Sequence, residues 1–561
     1  MSTPKAAPLD LVDLVGAQLG GRVLACSDEF FAEASNLLRP EPAVWDADRY
    51  TDHGKWMDGW ESRRRRTPGH DWCVIALGRA GVVQQLVIDT AFFTGNHPEA
   101  ASVHACYAPG ASTADLLAAE DLWTELLPRT RLEGGSEHVF EIDAPRAITH
   151  VRLSIHPDGG VARLRVRGRV HESAEQLLAQ ALPCELAALD VGGRVLGCSD
   201  AYFSAPANLL LSSRSTGMHD GWETRRRRGP GFDWVVLALG RPGRVSAVEL
   251  DTSHFKGNAP GSCELHVAER EPTEAEFARA PRPGDASGAV AAHGSASAPG
   301  AASAPGASSA PGAAGAHDAD SPWRTLLPST PLQADALHRF EFDDPARVVA
   351  LRLDIHPDGG VARLRVHGEP SEVGALRPGL ARFSALDDKA ARAALLDCCG
   401  CTALADALLA ERPFADPTAL RLAADRVWSA LGPEHWREAL AAHPEIGDKP
   451  AAATPGAGAA SAARASSAAD SSRAARWAAG EQASTSSADA ALRERLAEGN
   501  RRYRERFGFT FVICATGRTP LEMAALLERR LHNEPHAELA VAAEEQRRIT
   551  ALRLTKLIGD Q

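Results

Sequence analysis

Two short stretches of this chain place carboxylates and guanidinium groups side by side. Asp58-Gly59-Trp60-Glu61-Ser62 runs into Arg63 to Arg66, and Asp220-Gly221-Trp222-Glu223-Thr224 runs into Arg225 to Arg228. Asp58, Glu61, Asp220 and Glu223 are of the type that moves protons. Arg63, Arg64, Arg225 and Arg226 offer planar donors that meet a carboxylate through two parallel hydrogen bonds. Asp89-Thr90 with Gly95-Asn96 returns as Asp251-Thr252 with Gly257-Asn258, which adds Asn96 and Asn258 as amide binders. His156-Pro157-Asp158-Gly159-Gly160 returns as His356-Pro357-Asp358-Gly359-Gly360. A duplication that keeps polar residues as well as apolar ones marks them as working side chains. His70 is a further acid/base candidate, present only in the first copy; Phe232 stands in the second.

Each of these residues also has a structural reading. Four consecutive arginines describe a solvated basic face as well as an anion grip. If the segment is extended, Arg63 and Arg65 cannot share a face with Arg64 and Arg66, so only one pair can meet a ligand. Asp158-Gly159-Gly160 suits a turn in which glycine supplies positive φ. Trp60 and Trp72 suit a core, and Asp89, Thr90 and Asn96 suit loop hydrogen bonds. Thr94 and Phe92 become Lys256 and His254 in the second copy. Whether both copies hold a site or share one stays open.

The elements that must position these residues have period two. In Val151 to His156 the apolar residues face one side and Arg152, Ser154 and His156 the other. Ala162 to Val166 continues the pattern after the Gly-Gly turn, with Arg163, Arg165 and Arg167 facing out, so an antiparallel hairpin is expected. Two β-sandwiches follow. The first repeat covers about 10–170 and the second about 182–370, giving domains at 1–175 and 176–372. The second is longer because of an Ala/Ser/Pro/Gly stretch at 284–317. Its composition cannot offset chain entropy, and it reads as a disordered loop.

After residue 380 the period becomes helical. Ser384 to Asp387 reads as a capping box before Ala391 to Cys398. Leu492, Leu496, Tyr503 and Phe507 form one stripe, and Leu539, Ala542, Ile549 and Leu557 another. Residues 380–561 are therefore expected to be an all-α bundle of about six or more helices, with a second disordered tract at 450–475. The fold class is multidomain: two all-β sandwiches followed by a helical domain.

The bulk properties bound the function. At 561 residues the chain has room for roughly three or four domains. A net charge of −12 argues against nucleic acid or an anionic membrane as the main partner. No apolar run spans a bilayer and no secretory signal is visible. Ten cysteines are thinly spread, and Cys398-Cys399-Gly400-Cys401 lacks a second ligand pair. Reduced thiols and a cytoplasmic location are expected. No His-x-His or Glu-x-x-His spacing demands a metal, so no metal ligand is assigned.

The repeat resembles allantoicase. Lys55 to Arg64, Gly69-His70-Asp71-Trp72, Asp89 to Asn96, Leu126-Leu127-Pro128 and His156 to Arg163 carry the resemblance across 10–370. It implies a tandem jelly-roll, or galactose-binding-like, fold and hydrolysis of allantoate to (S)-ureidoglycolate and urea. That substrate is an anion with two ureido groups on one carbon. Its site needs a cation, hydrogen-bonding groups and an acid/base group, all of which the duplicated motif supplies. A divalent metal for this half stays open.

The C-terminal part resembles 2-oxo-4-hydroxy-4-carboxy-5-ureidoimidazoline (OHCU) decarboxylase over 383–559. Glu411 to Phe414, His443 to Gly447, Glu481-Gln482, Asn500 to Phe509 and Ile549 to Leu554 carry it. The resemblance implies formation of (S)-allantoin without a cofactor. His443 would be the acid/base residue, Glu481 its partner and Arg553 the ligand of the substrate carboxylate, with Asn500 and Gln482 also binding substrate. Helical periodicity agrees for Arg553, which falls on the stripe of Leu539, Ala542, Gln546 and Ile549. The family's serine three residues before the Glu-Gln pair is Ala478 here.

Together these readings give a bifunctional ureide enzyme, expected to be a homo-oligomer acting on small molecules. The competing reading makes 10–370 a pair of carbohydrate-binding modules. Such modules need aromatic platforms and few ionisable groups, so the repeated Asp, Glu and Arg favour the enzyme.

Overall fold

The computed structural model describes residues 11–144, 146–279, 320–443, 477, 490–515 and 519–559. The stretches 284–317 and 450–475 lie outside them. The chain divides into a unit of Met1–Glu172 with Pro183–Ser371 and a unit of Ser173–Leu182 with Glu372–Gln561.

In the first unit each repeat is organised by one long strand, Asp71–Asp89 or Asp233–Asp251. The first half of Asp71–Asp89 pairs antiparallel with Arg22–Cys26 and Ala147–His156. Its second half pairs with Glu137–Glu141 and Arg163–Val170. The strand thus passes from one layer of a sandwich to the other, and Asp233–Asp251 does the same. The crossing needs small residues where other backbone lies close. A β-carbon on Gly78 would sit 2.3 Å from the Leu19 carbonyl oxygen, and one on Gly240 would sit 2.2 Å from that of Val191. Between the layers of the first repeat lie Leu86, Ile88, Val151, Leu153, Leu164 and Trp60, all with no exposed surface.

Two expectations fail here. Residues 151–156 and 162–166 do not form a hairpin, because both strands pair with Asp71–Asp89 instead. Alternation fixes which face a strand buries, not which strand lies beside it. The side expected to face out is also partly covered. Arg163 is only 3% exposed, with the 39–44 loop over it, and Ser154 is buried as well.

In the second unit, helices Asp388–Cys399, Thr402–Ala410 and Pro417–Ala430 close one apolar core with Trp477. Helices Ala490–Phe507, Pro520–Arg530 and Pro535–Gly559 contribute to another. The expected stripes are buried at Leu496, Tyr503, Leu539, Ala542 and Ile549. The cap before Ala391 is Asp387, whose carboxylate accepts from the Ala390 amide; Ser384 ends a separate helix, Arg377–Ser384. Among residues 173–182, Leu177 and Leu178 are buried in one cluster with Val373. All ten cysteines are free.

Candidate active sites

The two duplicated motifs of the first repeat meet across a short ladder. Trp60–Glu61 pairs with Gly160–Val161, which sets Gly160 opposite Glu61. Only glycine fits there, since a β-carbon on Gly160 would lie 2.0 Å from the Phe93 ring. Glu61 is half-buried, and Asn96 Nδ2 donates to its Oε1 at 2.8 Å. Burial pushes the Glu61 carboxyl above its ordinary pKa, against a smaller opposing pull from Asn96. The second repeat copies the arrangement. Trp222–Glu223 pairs with Gly360–Val361, and Asn258 Nδ2 donates to Glu223 Oε1 at 2.7 Å. A carboxyl that is partly dry and held by one oxygen suits general acid/base work. Beside each pair, a non-glycine residue takes up left-handed backbone, Phe92 at φ 68° and His254 at φ 73°. Such strain collects at ligand-handling loops.

The other acidic candidates are engaged. Arg163 donates to Asp58 Oδ2 at 2.8 Å, the Val44 amide donates to the same oxygen at 2.9 Å, and Arg39 reaches Oδ1 at 3.3 Å. Burial opposes the charge on Asp58, but these partners outweigh it and hold the pKa below its ordinary value. Asp220 accepts from Ser215 and Thr216 and lies 3.4 Å from Arg363, which together bring it down to about 2 against burial. Both carboxylates tie a loop to the strand that follows the Gly-Gly turn.

The arginines do not alternate along a strand, because strand structure stops at Glu61 and at Glu223. Arg63 is exposed and pairs with Asp28 at 2.6 Å, and Arg225 lies over the Tyr202 ring at 4.3 Å. Arg65 and Arg227 turn inward to Asp71 and Asp233. Arg64 and Arg226 are exposed, with no ion pair among the described residues. His70 is brought not to Glu61 but to His156, their rings 4.6 Å apart. Burial, then Arg152 and Arg65, push the His70 pKa down.

Sequence reasoning put Arg152, Ser154 and His156 on one side of their strand but missed the neighbouring strand that completes a polar face on each sandwich. In the first repeat Ser102, His104, Ser154 and His156 share it, with His156 Nε2 3.1 Å from Ser102 Oγ. In the second the same positions are Glu264, His266, Asp354 and His356. Alternation within each strand was the available signal, but nothing in the sequence made the two strands neighbours. Two groups among the described residues gather ligand-type atoms within 4.8 Å: Glu264 with His266 and Asp354, and Cys401 with His435 and Glu438.

In the helical unit, Arg553 and Asn500 are both buried. His443 is half-buried just past helix Pro433–Ala441, its amide donating to the Leu440 carbonyl at 3.3 Å. Leu440, Leu496, Tyr503 and Ile549 belong to one apolar cluster, so the elements carrying these three candidates converge on one core. Glu481, Gln482 and Ala478 lie outside the described residues. Glu538, which has no exposed surface, is held by Arg530 at 2.6 Å, by Asn533 at 2.6 Å and by the Tyr503 hydroxyl. That network braces helices and was not anticipated. No helix among the described residues is long and apolar enough to cross a membrane.

The allantoicase repeat family model matches residues 12–171 and 184–371, and the OHCU decarboxylase family model matches 384–555. A probable allantoicase from Photobacterium profundum is 42% identical over 64% of this chain and 97% of its own length. The crystal structure of a Saccharomyces cerevisiae allantoicase is 30% identical over 64% of this chain and 93% of that one, with a TM-score of 0.48. A crystal structure of an OHCU decarboxylase in the presence of (S)-allantoin is 32% identical over 29% of this chain and 96% of that one, with a TM-score of 0.23.

Proposed function

This chain belongs to the allantoicase family, and from that premise we propose a two-activity enzyme of purine breakdown. The sandwiches hydrolyse allantoate to (S)-ureidoglycolate and urea. The helical unit decarboxylates OHCU to (S)-allantoin.

For the hydrolysis, the observation that carries most weight is the duplicated, half-buried Glu–Asn pair, Glu61 with Asn96 and Glu223 with Asn258. Either glutamate can protonate the departing urea nitrogen and, once ionised, take a proton from the incoming water, and burial raises the pKa of Glu61 toward the first of these roles. Water oxygen adds to the carbon that carries both ureido groups, and one C–N bond breaks. Exposed Arg64 and Arg226 meet the substrate carboxylate in this reading, while Asn96 and Asn258 orient the glutamates. Asp58 and Asp220 act as positioning residues, since their oxygens are committed to loop and arginine. Those ionisable side chains favour the enzyme over the carbohydrate-binding reading.

For the decarboxylation, Arg553 holds the ring carboxylate and His443 handles the proton, with Glu481, Gln482 and Asn500 binding polar groups. The C–C electron pair flows into the conjugated ring as CO2 leaves, and a proton returns to that carbon from one fixed side. No cofactor is needed for this step. Arg553 is buried and not on the solvent face of helix Pro535–Gly559, in keeping with that role. A cytoplasmic location and a homo-oligomeric assembly complete the reading.

The test assays both products on the intact chain. Arg553→Ala should abolish stereospecific (S)-allantoin formation and spare urea release. The double variant Glu61→Ala/Glu223→Ala should do the reverse. Urea release that survives the double variant would refute the assignment of the glutamates.

A further inference from the structure

In the second repeat, strand Ser262–Ala268 buries Cys263, Leu265 and Val267 against the core and turns Glu264 and His266 to the other face. Its neighbour Arg347–His356 turns Arg352, Asp354 and His356 to the same face, with Glu264 opposite Asp354 and Ser262 opposite His356. His266 is 1% exposed. Its Nε2 lies 3.3 Å from Asp354 Oδ2 and 3.5 Å from Glu264 Oε2, and His356 Nε2 lies 3.4 Å from Glu264 Oε1. Neither Nε2 has a hydrogen-bond partner, although both are buried. Buried polar atoms are nearly always satisfied, so the His266 nitrogen, aimed between two carboxylates, calls for an occupant.

We propose that the second repeat binds a divalent transition-metal cation between Glu264, His266 and Asp354, with His356 orienting Glu264 through its other oxygen, and that the first repeat does not. Imidazole nitrogens and carboxylate oxygens suit Zn2+, Co2+ or Mn2+. Two ligands each about 2.0–2.2 Å from one ion at a tetrahedral angle stand roughly 3.3–3.6 Å apart, and the separations above already have that size.

The supporting groups are in place as well. Thr325 Oγ1 lies 3.2 Å from His266 Nδ1, which fixes the ring and leaves Nε2 for the ion. Arg352 grips Asp354 at 2.6 and 2.8 Å and is itself held by the carbonyls of Phe277 and Arg279. Its positive charge offsets one of the two carboxylates, so the site is net −1 with neutral histidines and accepts a dication with moderate affinity. Burial alone would lower the His266 pKa, but Asp354 and Glu264 raise it. The cluster thus favours a positive charge at its centre. At the matching positions the first repeat has Ser102 and Ser154, which supply no anion.

The site stands apart from the allantoate reading, because its test reads metal uptake and not turnover. The full chain is stripped with chelator and titrated with Co2+, following visible ligand-field absorption and equilibrium dialysis. One Co2+ per chain is expected at this site, lost in Glu264→Gln and His266→Asn and weakened at least about tenfold in half-exposed His356→Asn. The Ser102→Ala/His104→Ala variant and His435→Ala should bind as the parent does. Unaltered binding in both Glu264→Gln and folded His356→Asn would overturn the proposal. So would a parent chain that takes up no Co2+, or one whose uptake is lost only with His435→Ala.

Discussion

The two sandwiches agree at one end and diverge on one face. Glu61–Asn96 and Glu223–Asn258 match in sequence position and partner and nearly in distance, each beside a left-handed residue and over a glycine pressed on a phenylalanine. On the sheet face, the first repeat has serine and neutral histidine where the second has glutamate, aspartate and histidine. Arg152 reaches outward to Glu120 at 2.7 Å, whereas Arg352 is buried on Asp354. A duplicated scaffold can therefore hold one kind of chemistry fixed at its loops while the flat of the sheet drifts toward another.

Several experiments would break or sharpen that contrast. The largest effect is expected at the shared end. Glu61→Gln and Glu223→Gln should each remove about 10²–10⁴-fold of the turnover of their own repeat. If both repeats work, each single variant keeps about half of the urea release; a near-total loss from one alone would mean that a single repeat carries the reaction. Next is the loop brace. Arg163→Ala leaves Asp58 buried without its main partner and should cost about 3–5 kcal/mol in chemical denaturation. Arg363→Ala should cost less, since Asp220 is 19% exposed at its side chain and keeps Ser215 and Thr216. Equal costs would erase the distinction.

Acid response comes third. Burial, with a smaller push from Arg22, lowers His150 to about 4, whereas the matching position in the second repeat is Ala350. The folded pKa lies below the ordinary 6.5, so the neutral form's stabilisation is complete above 6.5 and drains away as pH falls toward 4. The melting temperature of His150→Ala should depend less on pH across that window than the parent's. A parallel slope would clear His150 of the effect. The smallest effect is expected at the surface: Arg64→Ala and Arg226→Ala should leave the unfolding midpoint in place. Their signature is a raised KM for allantoate with kcat held, and an unchanged KM would remove them from the substrate grip.

Much of this was legible in the chain. The repeats, the switch from period two to helical period and the ordered motifs all led to the right architecture. The duplicated Trp-Glu and Gly-Gly motifs also carried local signals, which the fold turned into a ladder in each repeat. What could not be read was adjacency. The face holding Glu264 and Asp354 joins strands separated by a long insertion, and alternation is silent about lateral neighbours. The same silence produced the hairpin that does not form. Arg163 was expected to face out because solvent exposure depends on the loop folded over the strand, not on the strand's own residues.

Ser173–Leu182 leaves the first sandwich, joins the helical unit, and then the chain returns to build the second sandwich. The decarboxylase half is consequently discontinuous, and no single cut liberates it whole. A protein ending near residue 375 would strand Leu177 and Leu178 without the rest of their helical neighbours, while one starting there would lack the segment that seats them. Gene-level trading of either half demands a swap at two points, a topological lock that a simple end-to-end fusion would not have.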